Sequence, residues 1–421
     1  MAINIPRPSL DPQFYIDNRV YTDIQTYNLE MEKIFLKAWN FVCHESEISN
    51  AGDYFTATIA GQPIVVCRDR EGRIRAFYNT CPHRAVQLVP EGVGNVKNFV
   101  CFYHLWSFGL DGKLAGLPER EAYETSYNPC GLNGQDIGLV PVHVDVAHRL
   151  VFVRIDEEGA DLKEFLGEAI DLFAEPFGDP DFCMKVERDQ TVKANWKMQP
   201  ENSRDGYHAP LLHKRLRFVS PPRPYRCLEN GHTLQELDLD YERGLQNETV
   251  DDVLSKDPDL VRAFMKYPLP GMSKKRSSYV VTLFPDTLIL VRFSTALIER
   301  QIPVHPGETI IQFRSGQKIS DNDEILKIRE KHWYLYWDEF EGNLPEDVMA
   351  YEAQQRGAHS IGARYSLIAR GEKAHEGMRG DDNRIRWFWE LWRNYMDLSE
   401  NAPPKAELLP NVPVPFSRAS V

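Results

Sequence analysis

The spacing of apolar residues changes period along the chain. Between Tyr21 and Lys37 the apolar positions Ile24, Tyr27, Leu29, Met31, Ile34 and Phe35 recur at helical spacing, which predicts an amphipathic helix. From Trp39 to about Val153 the texture shifts to short alternating or β-branched runs: Tyr54–Ile59, Pro63–Cys67 and Leu150–Arg154. Turn signals at Gly52-Asp53, Asp69–Gly72 and Asp111-Gly112 separate such runs and predict a small all-β unit. After Gly178-Asp179-Pro180 the pattern becomes mixed. Residues 185–320 carry predicted strands at Tyr279–Phe284, Thr287–Phe293 and Glu308–Phe313 among helical stretches. Residues 323–400 are predicted largely helical, with Trp333, Trp337, Trp387, Trp389 and Trp392 supplying apolar contacts.

A chain of 421 residues is too long for one ordinary core and suits two domains. Its composition is globular, and a formal charge of −13 argues against nucleic acid or an anionic membrane as the main partner. The first residues lack a charged segment followed by an apolar one, as a secretory signal requires. The most apolar stretch, Tyr279 to Phe293, is broken by Pro285 and Asp286 and is too short to span a bilayer. The expectation is a cytoplasmic protein in which Cys43, Cys67, Cys130, Cys183 and Cys227 are reduced thiols.

The two remaining cysteines change the picture. Cys81-Pro82-His83 is followed, after seventeen intervening residues, by Cys101-Phe102-Tyr103-His104. Two loops then each offer one thiolate and one imidazole, a set that can hold a Rieske-type [2Fe–2S] cluster with both cysteines on one iron and both histidines on the other. Zinc is the rival reading. A structural zinc site usually spaces two cysteines by two to four residues and two histidines likewise, whereas each half here is mixed. Leu105-Trp106-Ser107-Phe108 follows the last ligand with bulky cover, which favours the cluster.

Downstream, Glu201-Asn202-x-x-Asp205-x-Tyr207-His208-x-x-x-x-His213 forms a second constellation. Two histidines at this spacing can be two legs of a 2-His-1-carboxylate triad, which leaves positions open on Fe(II). Alone, the pair is weak evidence; an upstream electron-storing cluster gives it a purpose. The third leg must be a carboxylate, and the residues leave Asp338, Glu346, Asp347, Glu352, Asp381 and Asp382 as candidates. Asp205, three residues before His208, is suited to hold the imidazole by hydrogen bonding.

Both motifs together resemble the α subunits of Rieske non-haem iron oxygenases, which hydroxylate aromatic rings. The resemblance implies an α+β fold class: a 1–38 helical segment packing on the catalytic domain, a small all-β Rieske domain at 39–155, and a catalytic domain at 156–421 with an antiparallel sheet flanked by helices. It implies Cys81, His83, Cys101 and His104 as cluster ligands and a mononuclear Fe(II) on His208, His213 and a carboxylate. Acid-oxidising members resemble the Glu346-Asp347 stretch, which points to Asp347; Asp381-Asp382 resembles the form seen in naphthalene-type relatives. Asp205 is implied to link His208 to His104 of a neighbouring copy, hence a trimer of α subunits, alone or with small β subunits. Asn202 would lie near the iron and Tyr207 behind it. Electrons would come from a separate ferredoxin or NAD(P)H-dependent reductase, since the chain has no Gly-rich dinucleotide fingerprint. The product would be a cis-dihydrodiol or a monohydroxylated ring.

Arg300 and Arg379 fall where aromatic-acid relatives have carboxylate-binding arginines, with Arg292, Arg384 and Arg386 as competitors. The resulting expectation is an aromatic acid such as benzoate, anthranilate, salicylate or terephthalate. The alternatives are a neutral arene, a demethylation, or a Rieske electron carrier without oxygenase activity. Two members of the family pattern are missing, because Ala85 and Leu105 stand where glycine is common. Metal analysis separates the classes: the oxygenase reading expects roughly three iron atoms per chain, an electron carrier two, and a zinc scaffold a colourless protein.

Overall fold

The computed structural model describes residues 6–129, 131–132, 137–213, 225–237, 258–273, 276–337, 344–371, 376–377 and 380–398. Its chain divides into two compact units, Leu36–Phe165 and a larger one made of Met1–Phe35 with Leu166–Val421.

The smaller unit is all-β. A four-stranded antiparallel sheet runs in the order Ile74–Tyr78, Gln62–Arg68, Asp53–Ile59, Val93–Asn95. A three-stranded sheet places Leu150–Arg154 between His143–Ala147 and Asn40–His44. Val42, Phe55, Ile64, Val66, Val151 and Val153 pack into one core, because alternate residues of these strands point inward. A second core, around Phe77, Phe99, Trp106 and Phe108, includes Cys81 and Cys101. The cysteines are thus held from below by apolar side chains.

In the larger unit eight described strands form one antiparallel sheet. Its order is Phe182–Val192, Glu308–Lys318, Thr295–His305, Thr287–Arg292, Ser278–Leu283, Thr233–Leu237, Tyr225–Cys227, Glu376–Gly377. The sequence marks its centre well: Ser278–Leu283 and Thr287–Arg292 are β-branched runs separated by Phe284-Pro285-Asp286, and they pair Leu283 with Thr287. Helices Met198–Arg204, Asp323–Trp337, Leu344–Ala358 and Asn383–Tyr395 belong to the same unit. No helix among the described residues is long and apolar enough to cross a membrane.

The helix foreseen over 21–37 is shorter: it spans Ile24–Glu30 and continues as a wider turn over Met31–Phe35. Glu30, which the periodicity places among polar positions, is fully buried. Its Oε1 accepts from Lys197 Nζ at 2.7 Å and Trp392 Nε1 at 2.8 Å, and its Oε2 accepts from Trp196 Nε1 at 2.8 Å. Burial pushes the Glu30 carboxyl up and the Lys197 ammonium down, and their mutual attraction opposes both shifts. Next to this group, Tyr21 donates to Glu201 Oε1 at 2.6 Å. The early chain, the last helix and the start of Met198–Arg204 are thereby tied together by charge-assisted bonds. Replacing one partner leaves the other charge buried and alone, so Lys197→Met should lower unfolding free energy by about 3–5 kcal/mol in denaturant titrations.

Candidate functional site

The helix Met198–Arg204 stops because Asp205 adopts an extended backbone conformation. After Gly206 the chain makes one short helical turn, Ala209–Leu212, with His208 at its start and His213 at its end. Because they bracket a single turn, the two imidazoles converge, and their Nε2 atoms lie 3.2 Å apart. The chain then needs a third leg from another element. Asp347, in the first turn of Leu344–Ala358, supplies it: Oδ1 lies 3.2 Å from His213 Nε2 and 3.5 Å from His208 Nε2.

All three ligand atoms fall within 4.8 Å of one another, the only such trio of potential metal-binding side chains among the described residues. Two nitrogens and one carboxylate oxygen facing one point are the donor set for Fe(II) with open positions. Two of the three ligands are themselves held by hydrogen bonds. His213 Nδ1 meets Glu346 Oε2 at 2.9 Å, and Asp347 Oδ1 accepts from Asn202 Nδ2 at 2.8 Å. Asp205 Oδ2 stands 3.6 Å from His208 Nδ1. The Glu346 carboxylate on the outer nitrogen of His213 fixes that tautomer and leaves Nε2 free to bind metal, whereas Asp205 is a charge neighbour of His208 beyond hydrogen-bond distance. Burial lowers the tendency of His213 to hold a proton, but Asp347 and Glu346 outweigh it and raise its pKa. Burial likewise opposes the charge on Asp205, while His208 and the Tyr207 and His208 backbone N–H groups bring its pKa below the usual range.

The other carboxylates weighed for the third leg lie elsewhere or have other partners. Asp381 accepts from the Tyr225 hydroxyl, Asp382 from the Arg370 backbone N–H, and Glu352 from that of Lys193. Asp338 is outside the described residues. Tyr207 contributes its backbone N–H to Asp205 Oδ1 at 2.8 Å, and its half-exposed ring lies beneath Arg370 rather than against the trio.

Beside the trio is a cavity of about 150 Å³, and an apolar space of this size holds one benzene-sized ring. Val280, Leu288 and Leu290 give it an apolar wall, while Arg292, Arg384 and Gln235 add donors. Arg300 does not line it. Thr287–Arg292 and Thr295–His305 join through a two-residue hairpin that pairs Arg292 with Thr295 and Arg300 with Thr287. Paired residues share a face and neighbours alternate, so Arg300 points to the other side, where Asp286 lies 3.7 Å away. Arg379 lies outside the described residues. Arg386 is spent on the backbone carbonyls of Ile368, Arg370 and Gly371.

In the smaller unit the two Cys/His loops are built alike. Ala85 N bonds to Cys81 O at 2.8 Å and Leu105 N to Cys101 O at 2.9 Å. Cys81 N and Cys101 N in turn bond to the carbonyls of Val86 and Trp106, both at 2.8 Å. Each loop needs its fifth residue in the left-handed region, and Ala85 and Leu105 sit there at φ 55° and 59°. The loop shape that usually calls on glycine is therefore kept without it. Cys81 and Cys101 are buried, and burial followed by the neighbouring Cys101 thiol raises the Cys81 pKa, against backbone N–H groups of His83 and Arg84. The His83 and His104 rings lie 4.6 Å apart, and His83 stacks on Trp106 at 4.7 Å. Two buried thiols beside two outward imidazoles match the two-and-two ligation of a Rieske cluster.

Residues 38–129 match the Rieske [2Fe-2S] domain family, and residues 168–390 match the ring hydroxylating alpha subunit (catalytic domain) family. The chain is 30% identical over 397 residues to the α subunit of 2-aminobenzenesulfonate 2,3-dioxygenase from Alcaligenes sp., covering 92% of this chain and 95% of that one. It is 30% identical over 396 residues to the large subunit of anthranilate 1,2-dioxygenase from Acinetobacter baylyi, covering 87% and 82%. Its fold is similar to naphthalene 1,2-dioxygenase from Rhodococcus sp. bound to indole, with TM-score 0.73, 21% identity, and 92% and 95% of the two chains covered.

Two outcomes follow from the geometry. Glu346→Gln should weaken Fe(II) binding about 10- to 100-fold in titrations of iron-depleted protein, because His213 loses its carboxylate partner. Leu105→Gly and Ala85→Gly should each raise stability by about 1 kcal/mol, read as a higher melting temperature, by relieving left-handed backbone strain at exposed side chains.

Proposed function

This chain belongs to the ring-hydroxylating α-subunit family of Rieske oxygenases, and on that premise we propose that its substrate is an aromatic acid, a carboxylate or a sulfonate. It is the terminal oxygenase component, with a Rieske cluster and a mononuclear iron as cofactors. Such α subunits work with separate electron-transfer partners and assemble as multimers.

One observation carries the substrate reading. Arg384 Nε and Gln235 Nε2 are buried donors with no hydrogen-bond partner among the described residues, and both side chains line the cavity beside the histidines. Arg384 donates through its Nη1 to Gln235 Oε1 at 3.0 Å, which orients the pair. Burial lowers the Arg384 pKa to about 10, so the group is still a cation at neutral pH. A buried donor without a partner costs about 1–3 kcal/mol, and an incoming anionic oxygen removes that cost. The names of the two relatives, an aminobenzenesulfonate and an anthranilate dioxygenase, agree with an acid group on the ring.

We assign His208, His213 and Asp347 to the mononuclear iron and Cys81, His83, Cys101 and His104 to the cluster. The bound metals supply the one-electron chemistry with O2 that side chains lack. The side chains do the rest. Glu346 holds the outer imidazole nitrogen of His213, Asp205 places its charge near the outer nitrogen of His208, and Asn202 fixes Asp347. Val280, Leu288 and Leu290 cover the ring and exclude water, and Arg292, Arg384 and Gln235 orient the acid. Asp205 would also reach His104 of a second copy in a trimer; its side chain is about a quarter exposed, and His104 is exposed.

Single-turnover oxidation of aromatic acids and neutral arenes by the reduced protein tests the reading, with products identified. Acids should be oxidised. Arg384→Gln and Arg292→Gln should each weaken acid binding about tenfold or more while leaving neutral arenes unchanged. Equal affinity of both variants for the acids would overturn the clamp.

A further inference from the structure

The same cavity contains a second polar group that an aromatic acid does not by itself explain. Glu299 is 4% exposed and lines the cavity wall. Its Oε2 accepts from Gln199 Nε2 at 2.7 Å. Its Oε1 takes no hydrogen bond among the described residues, and neither does Gln199 Oε1. Both side chains line the cavity, so two acceptor oxygens border a small space of mixed polarity.

Strand register places this pair relative to the arginines. Glu299 pairs with Leu288, Leu297 with Leu290, and Thr295 with Arg292. Along one face of the strand, Leu288 and Arg292 are therefore about 13 Å apart, with Leu290 between them. Gln235, the partner of Arg384, pairs with Val280, which in turn pairs with Leu290. The face runs from an acceptor pair at the Asp347 end, across apolar side chains, to cationic donors. A ring carrying an acid at one position and a hydrogen-bond donor at another complements that order.

We infer that Glu299 and Gln199 together accept hydrogen bonds from an amino group on the substrate ring, so that the substrate class is amino-substituted aromatic acids. This rests on the aromatic-acid reading above. An amino group is favoured over a hydroxyl because it offers two N–H donors to two acceptor oxygens. A site built to bond such a group rejects the apolar isostere, since its buried oxygens are then left alone.

The test is anaerobic binding to the holoenzyme, with 2-aminobenzoate against 2-methylbenzoate and, without the acid, aniline against toluene. The amino compound should bind about tenfold more tightly than its methyl counterpart. Glu299→Met should erase that preference while keeping affinity for 2-methylbenzoate and an unchanged iron content, and Glu299→Gln, which keeps an acceptor oxygen, should retain part of it. A preference near one in the holoenzyme, or an undiminished preference in Glu299→Met, overturns the inference. If aniline and toluene bind but neither acid does, the aromatic-acid reading fails, and the aniline-to-toluene ratio alone decides the role of Glu299. Failure of all four compounds to bind overturns both.

Discussion

Carboxylates crowd the catalytic centre, and a cation has to balance them. Asp205, Glu346 and Asp347 surround two imidazoles in a partly buried pocket, and Glu299 lies close enough for Asp347 to push its proton affinity up. Like charges at this density are costly in a medium that screens poorly. Such a cluster persists in a folded chain when a divalent metal is bound at its centre. The donor geometry and the electrostatics therefore point to the same occupant.

That holding is done from a distance. The helix Met198–Arg204 carries Asn202 and ends at Asp205, and its first turns are tied by Lys197, Trp196 and Glu201 to Glu30, Tyr21 and the last helix. Glu30, Tyr21 and Trp392 do not line the cavity. They set the position of a helix end, and the helix end sets His208. In the smaller unit the same logic appears at shorter range. Two loops of like hydrogen bonding each present a thiol inward and an imidazole outward.

How much of this was legible in the sequence depended on the range of each interaction. Cys81/His83/Cys101/His104 and His208/His213 stand out because local spacing alone brings their donors together. Asp347 needed a choice among six carboxylates, because the third leg comes from a helix far along the chain. Glu346 was among the six, yet its place behind His213 depends on which way one helical turn faces. The arginines show the limit most plainly. Arg292 and Arg300 are both eligible by composition, but the two-residue hairpin between them inverts which residues face the cavity. Parity across a hairpin is fixed by register, and register is not written in either strand alone. Glu30 was hidden for a similar reason, since its buried cationic partner lies more than a hundred residues away. Leu105 keeps the left-handed backbone that glycine usually supplies in that loop.

The central claim is that Asp347 closes the mononuclear site with His208 and His213. Iron quantitation on purified Asp347→Ala, with the visible spectrum of the cluster as an internal standard, tests it most directly. The account expects roughly two iron atoms per chain with an unchanged cluster spectrum, against roughly three in the parent and in Asp382→Asn. A full complement of iron in Asp347→Ala, or its loss in Asp382→Asn alone, would contradict the assignment.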